Sequence, residues 1–306
     1  MKSFEHTPVM VEEVVRFLAC CSGGCYIDAT VGGGGHARAI LEATAPDGRI
    51  FGIDRDPDAV SAAGGSLRLF GNRVKILRGE FSNLDSLIRG PDFKCANGIL
   101  LDLGVSSYQL GEPSRGFGFG EEGPLDMRMD PANELSAAEV VGTFDEEELA
   151  RIIFELGEER HSRKIAAAIV KRRRVRPVVT TADLSGIIVS AVPAHARKGR
   201  IHAATRTFQA LRIFVNDELG QLRKFLDFAP KLLCGNGRLV IISYHSLEDR
   251  IVKNSFRLWG GRGGFKIVTK KVVTPTEEEK KKNARSRSAK LRVLERIDDG
   301  FQSCCC

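Results

Sequence analysis

The sequence predicts an α/β fold with a mostly parallel sheet. Three observations carry that expectation. Short apolar segments alternate with helical patterns through the N-terminal third, the first of these segments runs straight into a glycine-rich loop, and two later ones end in an aspartate. Strands that alternate with helices pair in parallel, because each crossover helix returns the chain to the same edge of the sheet. Length and composition agree. A chain of 306 residues, 42% hydrophobic, is one large or two modest domains and buries a sizeable core without staples. With 28% charged residues, 32 Gly and 11 Pro, it is not wholly disordered, collagen-like or a coiled coil.

Residues 9–18 place apolar side chains at helical spacing after Thr7-Pro8, a first helix. Residues 26–30 form a short buried strand that enters the loop Val31-Gly32-Gly33-Gly34-Gly35-His36, and residues 37–43 are helical. Strands are expected at 49–54, 74–81 and 97–103, with a helix at 58–69 between the first two. The alternation then stops. Residues 104–129 are rich in Gly, Ser and Pro and read as a long loop, of the kind that is usually functional inside a compact domain. Helical patterns follow at 145–174, 181–191 and 205–228, and Thr143 with Glu146 resembles a capping box. Strand character returns at 237–243, 265–273 and 289–295, so a helical block interrupts the α/β domain and the sheet is completed afterwards.

Charge is distributed unevenly. Residues 250–306 hold 15 Lys and Arg against 6 Asp and Glu, residues 171–206 hold 9 against 1, and residues 112–170 hold 6 against 14. Two basic stretches beside an acidic one suggest a face for a polyanion, against the alternative of ordinary solvated surface. No apolar run approaches the ~20 residues of a membrane span, and the N-terminus has no apolar core of a secretory signal. The chain is expected to be cytoplasmic, or mitochondrial or plastid if its source is organellar. None of the eight cysteines falls in a CxxC pair or a zinc spacing, so no metal is expected, and the internal ones read as small buried hydrophobes.

The strongest local signal is strand, glycine loop, helix, then an acid ending the next strand. Glycines let the backbone turn tightly and approach a ligand, and Asp54 at the carboxyl end of the second strand can accept both hydroxyls of a ribose. Dinucleotides and S-adenosylmethionine share this arrangement. Asp28 just before the loop would repel a pyrophosphate but favours a sulfonium and an α-ammonium; its alternative role is a turn or capping acid. His36 at the end of the loop is a second contact or a packing histidine. Asp102 ends the fourth strand on the same edge as Asp54, where open α/β sheets bind ligands.

These residues, with blocks further along the chain, resemble the MraW family of small-subunit ribosomal RNA methyltransferases. The likeness runs from His6-Thr7-Pro8-Val9-Met10 through Gly33-Gly34-Gly35-His36, Ile53-Asp54-Arg55-Asp56-Pro57 and Asp102-Leu103-Gly104-Val105-Ser106-Ser107. It continues through Arg115-Gly116-Phe117, Gly123 to Met129, Gly157-Glu158-Glu159-Arg160 and Ala204 to Arg212. The last blocks are Ser243-Tyr244-His245-Ser246-Leu247-Glu248-Asp249-Arg250 and Arg287 to Arg292. The chain departs from the family at Tyr108 (commonly Pro or Met) and Gly111 (an acid), in the loop that carries Gln109, and mildly at Tyr244 (Phe) and Ala284 (Pro); none of these removes a cofactor-binding position.

The resemblance implies a class I, Rossmann-like methyltransferase fold with a helical insert after the fourth strand. The core would span residues 1–111 and 202–306, and the insert, a candidate RNA-recognition domain, residues 112–201. It implies S-adenosylmethionine as cofactor, held by Gly34, Gly35 and His36, with Asp54 on the ribose, Phe81 beside the adenine, and Asp102 and Gln109 completing the pocket. The implied reaction is methylation of the exocyclic N4 of a cytidine in small-subunit ribosomal RNA, naked or in the assembled subunit. That nitrogen is a poor nucleophile, so alignment with the methyl donor matters, and Asp102 is the candidate that holds its hydrogens. Arg206, Thr207, His245, Ser246 and Lys290 are the candidate target-side contacts. A monomer or homodimer is expected. A noncatalytic RNA-binding module and a nicotinamide dehydrogenase are the alternatives; the intact glycine loop and Asp54 oppose the first, and the insert and basic stretches oppose the second.

Overall fold

In the computed structural model, which describes residues 8–90, 93–197 and 201–297, one sheet contains β1 (Cys25–Asp28), β2 (Arg49–Asp54), β3 (Val74–Arg78), β4 (Ala96–Asp102), β5 (Leu233–Ser243), β6 (Phe265–Ile267) and β7 (Lys290–Arg296). Outside the described residues lie His6 and Thr7 of the first sequence block, Lys198 and Arg200 of the first basic stretch, and Cys304, Cys305 and Cys306. The strand order is β3-β2-β1-β4-β5-β7-β6. β1 to β5 pair in parallel, and β7 runs antiparallel between β5 and β6. This is the class I, Rossmann-like arrangement expected from the sequence.

The chain divides into two compact units, residues 1–104 with 219–306, and residues 105–218. The division differs from the expected insert of 112–201, because residues 105–111 and 202–218 cluster with the helical unit. The physical reason is the helix Thr205–Val215, whose buried Phe208, Ala210 and Leu211 join the core of the helical unit, not the sheet.

In the sheet unit, side-chain alternation at the strand period of two builds two cores. Ile27, Ile53, Ile99, Leu101 and Ile241 face one core with Leu222, Phe225 and Phe256. Tyr26, Ile50, Leu100, Val240 and Ile242 face the other with Val14, Leu18, Ile40 and Leu67. Helices therefore cover both faces. The cysteine expectation needs correcting: Cys95 and Cys234, beside the first residues of β4 and β5, are joined as a disulfide. Of the free thiols, Cys21 is exposed while Cys20 and Cys25 are half-buried. Burial pushes the Cys20 thiol up to about 12 and the Cys25 thiol up to about 11, too high for a thiolate nucleophile at neutral pH.

In the helical unit, the pattern read as continuous over 145–174 is two helices, Glu146–Gly157 and Ser162–Arg173. Glu158 breaks it in the left-handed region at φ 49°. Gly157 is required there, since a Cβ would stand 2.5 Å from the Arg206 carbonyl oxygen of the neighbouring helix. Likewise 205–228 splits into Thr205–Val215 and Glu218–Phe228 around Asp217 at φ 46°. Thr143 does not cap a helix with Glu146; it ends the helix Ala137–Thr143, and the capping boxes are Ser136 with Glu139 and Asp145 with Glu148. The segment read as a long loop contains the short helix Ser107–Gly111.

Candidate active site

Parallel pairing brings the carboxyl ends of β1, β2 and β4 to one edge, and register places three acids there. Asp28 pairs with Gly52 on one side and Leu100 on the other. Asp54 and Asp102 stand two residues beyond those partners, so at a period of two all three carboxylates share one face of the sheet. The loop after β1 is tied to both neighbours. Val31 N–H donates to the Ile53 carbonyl at 2.9 Å and Ala29 N–H to the Leu100 carbonyl at 2.9 Å. The Asp102 N–H donates to Thr30 Oγ1 at 2.8 Å. Gly34 completes the turn into the helix Gly35–Ala43 at φ +86°, where a Cβ would also meet Ser66 Oγ at 2.7 Å. Ser66 Oγ donates to the Gly33 carbonyl at 2.8 Å.

Each acid is held differently. Asp54 accepts the Gly32 N–H at Oδ2 and the Asp56 N–H at Oδ1, both at 3.0 Å. It thus braces the glycine loop. Asp28 is buried, accepts Thr30 N–H at Oδ1, and leaves Oδ2 buried without a partner. Asp102 accepts the Tyr244 hydroxyl at Oδ1, 2.8 Å away, and its Oδ2 lies 3.7 Å from His36 Nδ1. His36 is buried and its Nε2 lies 2.9 Å from the Val9 carbonyl oxygen. A carbonyl only accepts, so Nε2 carries the hydrogen and a neutral His36 turns a lone pair at Nδ1 toward Asp102.

Burial pushes Asp28 up to about 7, Asp54 to about 6 and Asp102 to about 7, and the neighbouring acids push Asp28 further. Burial lowers His36, with Asp28 and the Val9 carbonyl acting against that shift. Among the described residues no Lys or Arg side chain bonds any of the three carboxylates, so the cluster is complementary to a cationic ligand, which would favour their ionised forms. The unpartnered Asp28 Oδ2 marks the same demand. A sulfonium or ammonium meets it, and a pyrophosphate does not.

The other expected residues are spread more widely. Phe81 opens the turn after β3, half-buried and edge-on to Phe225 at 5.6 Å between ring centroids. Gln109 belongs to the helical unit and is buried; its side chain accepts the Ser106 N–H at 3.0 Å in a capping box. His245 caps the helix Ser246–Gly261, with Nδ1 3.4 Å from the Glu248 N–H nitrogen. Its Nε2 is 3.2 Å from Glu248 Oε1 but lacks hydrogen-bond alignment. Ser246 is the first residue of that helix and half-buried. Lys290 pairs with Asp249 at 3.7 Å. Arg206, exposed, lies 3.9 Å from Glu159. Thr207 is a correction: it is fully buried, without the exposure a target contact needs, because its helix turns that face into the core.

Sequence reasoning missed Thr30 and Tyr244. Nothing in a lone Thr announces a bond to a strand that follows much later, and Tyr244 looks like a conservative exchange for Phe until its hydroxyl is seen on Asp102.

The chain is similar to known proteins over nearly its whole length. The family model described as the MraW methylase family matches residues 3–297. A ribosomal RNA small subunit methyltransferase H from Syntrophobacter fumaroxidans is 47% identical over 309 residues, covering 96% of this chain and 97% of that protein. One from Trichormus variabilis is 52% identical over 294 residues, covering 96% and 92%. One from Geotalea daltonii is 47% identical over 312 residues, covering 97% and 100%.

Proposed function

Because the chain belongs to the MraW methylase family, we propose that it transfers a methyl group from S-adenosylmethionine to the exocyclic N4 of a cytidine in small-subunit ribosomal RNA, in the cytoplasm. The observation that carries the cofactor half is the acid cluster at the ends of β1, β2 and β4, with the buried Asp28 Oδ2 left without a partner. When bound, the cofactor supplies an electrophilic methyl group on a positively charged sulfur.

The chain's own residues do the rest. Gly34, Gly35 and His36 shape the loop, and Gly34 and Gly35 keep it clear of side chains. Asp54 receives the ribose hydroxyls on the lone pairs that Gly32 and Asp56 leave free. Phe81 flanks the adenine while remaining braced against Phe225. Gln109 keeps the segment after β4 folded through its box with Ser106. Asp102 accepts a hydrogen of the target amine, so that the nitrogen's lone pair is less committed to the ring as it meets the methyl group. Alignment of the two reactants supplies most of the remaining advantage.

Target-side contacts fall to Arg206, His245, Ser246 and Lys290. Arg206 and Lys290 each sit by an acid that steadies the side chain without neutralising its use for a phosphate. His245 and Ser246 open a long helix, where backbone N–H groups favour an anion. Phosphate contacts position the RNA and the base is read at the acid cluster.

Mass-spectrometric mapping of small-subunit RNA from cells lacking the protein tests the assignment. One N4-methylcytidine should disappear and return on complementation with the wild-type gene. Unchanged RNA would remove the proposed target. Separately, the purified chain should bind S-adenosylhomocysteine and not NAD, and the reverse preference would remove the cofactor.

A further inference from the structure

We propose that Tyr244 is a positioning residue for Asp102: its hydroxyl holds the carboxylate in one orientation and in its anionic form for the cationic cofactor. The assignment rests on the cofactor site proposed above.

The geometry fixes Tyr244 at both ends. Its backbone N–H donates to Glu248 Oε2 at 2.8 Å. Its ring lies against Gly104, where a Cβ would stand 3.4 Å from Tyr244 Cδ2. Gly104 adopts φ +94°, a conformation that L side chains rarely take, so the chain can pass close over the ring. The hydroxyl then ends 2.8 Å from Asp102 Oδ1. Among the described residues it is the one side-chain donor aligned on that carboxylate. His36 cannot take its place, since its Nε2 hydrogen is committed to Val9 and its Nδ1 stands 3.7 Å from Oδ2.

The groups around Asp102 give a donor here a consequence. Burial and the Glu248 carboxylate oppose its ionisation, and the Tyr244 hydroxyl favours it. Tyr244 in turn faces Asp102, Glu248 and Glu279, with Arg285 nearby. Burial and those acids hold the phenol protonated well above the usual tyrosine range, so it stays a donor throughout the working pH range. A hydroxyl that donates to a carboxylate stabilises its charged form. Removing it must therefore move Asp102 ionisation to higher pH.

The test is calorimetric titration of S-adenosylmethionine into the full chain and into Tyr244→Phe, Asp102→Asn and the double variant, between pH 5.5 and 8.5. Wild-type affinity should rise with pH as Asp102 ionises. In Tyr244→Phe the rise should move up by about one pH unit, leaving binding roughly tenfold weaker near pH 6.5 and nearly equal at pH 8.5. Adding Tyr244→Phe to Asp102→Asn should change nothing further. Superimposable curves for the wild type and Tyr244→Phe overturn the assignment. So does a pH-independent loss that persists in the Asp102→Asn background, the mark of a packing role. A wild-type chain that binds no S-adenosylmethionine overturns the cofactor site itself, a different outcome from either.

Discussion

Asp102 and Glu218 are both acids that folding withdraws from water, and they meet opposite surroundings. Glu218, in the helical unit, receives Arg212 through two bonds of 2.8 and 2.9 Å. Asp126 of the same unit is matched by Arg128 in the same forked fashion, which holds its carboxyl below the usual range even against the cost of burial. Glu139 and Glu148 are used in capping boxes. Asp102, in the sheet unit, receives one neutral hydroxyl and has acids for neighbours. These acids of the helical unit meet guanidinium or cap partners, whereas Asp102 at the strand edge meets a neutral hydroxyl, as the proposed cationic cofactor would require. Burying a carboxylate without a bonded cation is costly, and this edge holds a fully buried Asp28 beside the half-buried Asp54 and Asp102.

Four experiments break or sharpen that contrast. The largest effect should come from Glu218→Ala, which removes both bonds that the buried Glu218 carboxylate accepts from Arg212. Denaturant unfolding should show a loss of about 3–5 kcal/mol. A loss below 1 kcal/mol would mean that the helical unit does not depend on this pair.

Asp54→Ala should weaken S-adenosylhomocysteine binding by roughly 1.5–3 kcal/mol, the usual cost of losing hydrogen bonds to a charged group. The structure adds a second effect: Gly32 and Asp56 lose their acceptor, so melting temperature should fall too. Asp54→Asn, which keeps one acceptor oxygen, should recover more of the stability than of the affinity. An unchanged dissociation constant in both variants would take Asp54 out of the site.

Asp28→Asn should behave in the opposite sense to Glu218→Ala. Burial raises Asp28 to about 7 in the folded chain, above its unfolded value of about 4. Its contribution is thus most favourable below the unfolded value and is lost as pH rises through that window. Asn carries no charge to bury, so the variant's melting temperature should gain on the wild type between about pH 4 and 7 and then hold the difference, by roughly 2–4 °C per kcal/mol recovered. Cofactor affinity at pH 8 should fall. A variant less stable than wild type at pH 8 would show that the charge is compensated after all.

The smallest effect concerns RNA. Part of the basic stretch at 171–176 is used internally: Arg173 donates to the Val141 carbonyl, and Arg172 and Arg176 share Asp183. Lys171 and Arg174 remain exposed. Replacing both with Gln should lower RNA affinity modestly. The salt dependence should flatten by about 0.7 for each phosphate of single-stranded RNA that is no longer neutralised. An unchanged slope would leave this face without a role in RNA binding.

The sequence by itself determined that the sheet is mostly parallel, because strands alternate with helices in its N-terminal third, but the order in which the strands pair came only from the tertiary structure. The sequence also determined the cofactor class, because an acid before the loop suits a cation and not a pyrophosphate. The break at Asp217 was not legible, since it is neither Gly nor Pro and the apolar spacing continues across it, whereas the break at Glu158 is written only in Gly157 and the polar run 158–164 that follows it. The boundary of the helical unit was not legible either: the apolar face of Thr205–Val215 fits a helix against a sheet as well as a helix against helices, and only packing chooses. Long-range hydrogen bonds decided the rest. Thr30 on Asp102, Asp54 on Gly32 and Tyr244 on Asp102 join residues far apart in the chain, and no periodicity or composition encodes which donor meets which acceptor. Residue types set what each group can bond, while the parallel register and the turn at Gly104 bring Tyr244, and not another donor, to the carboxylate.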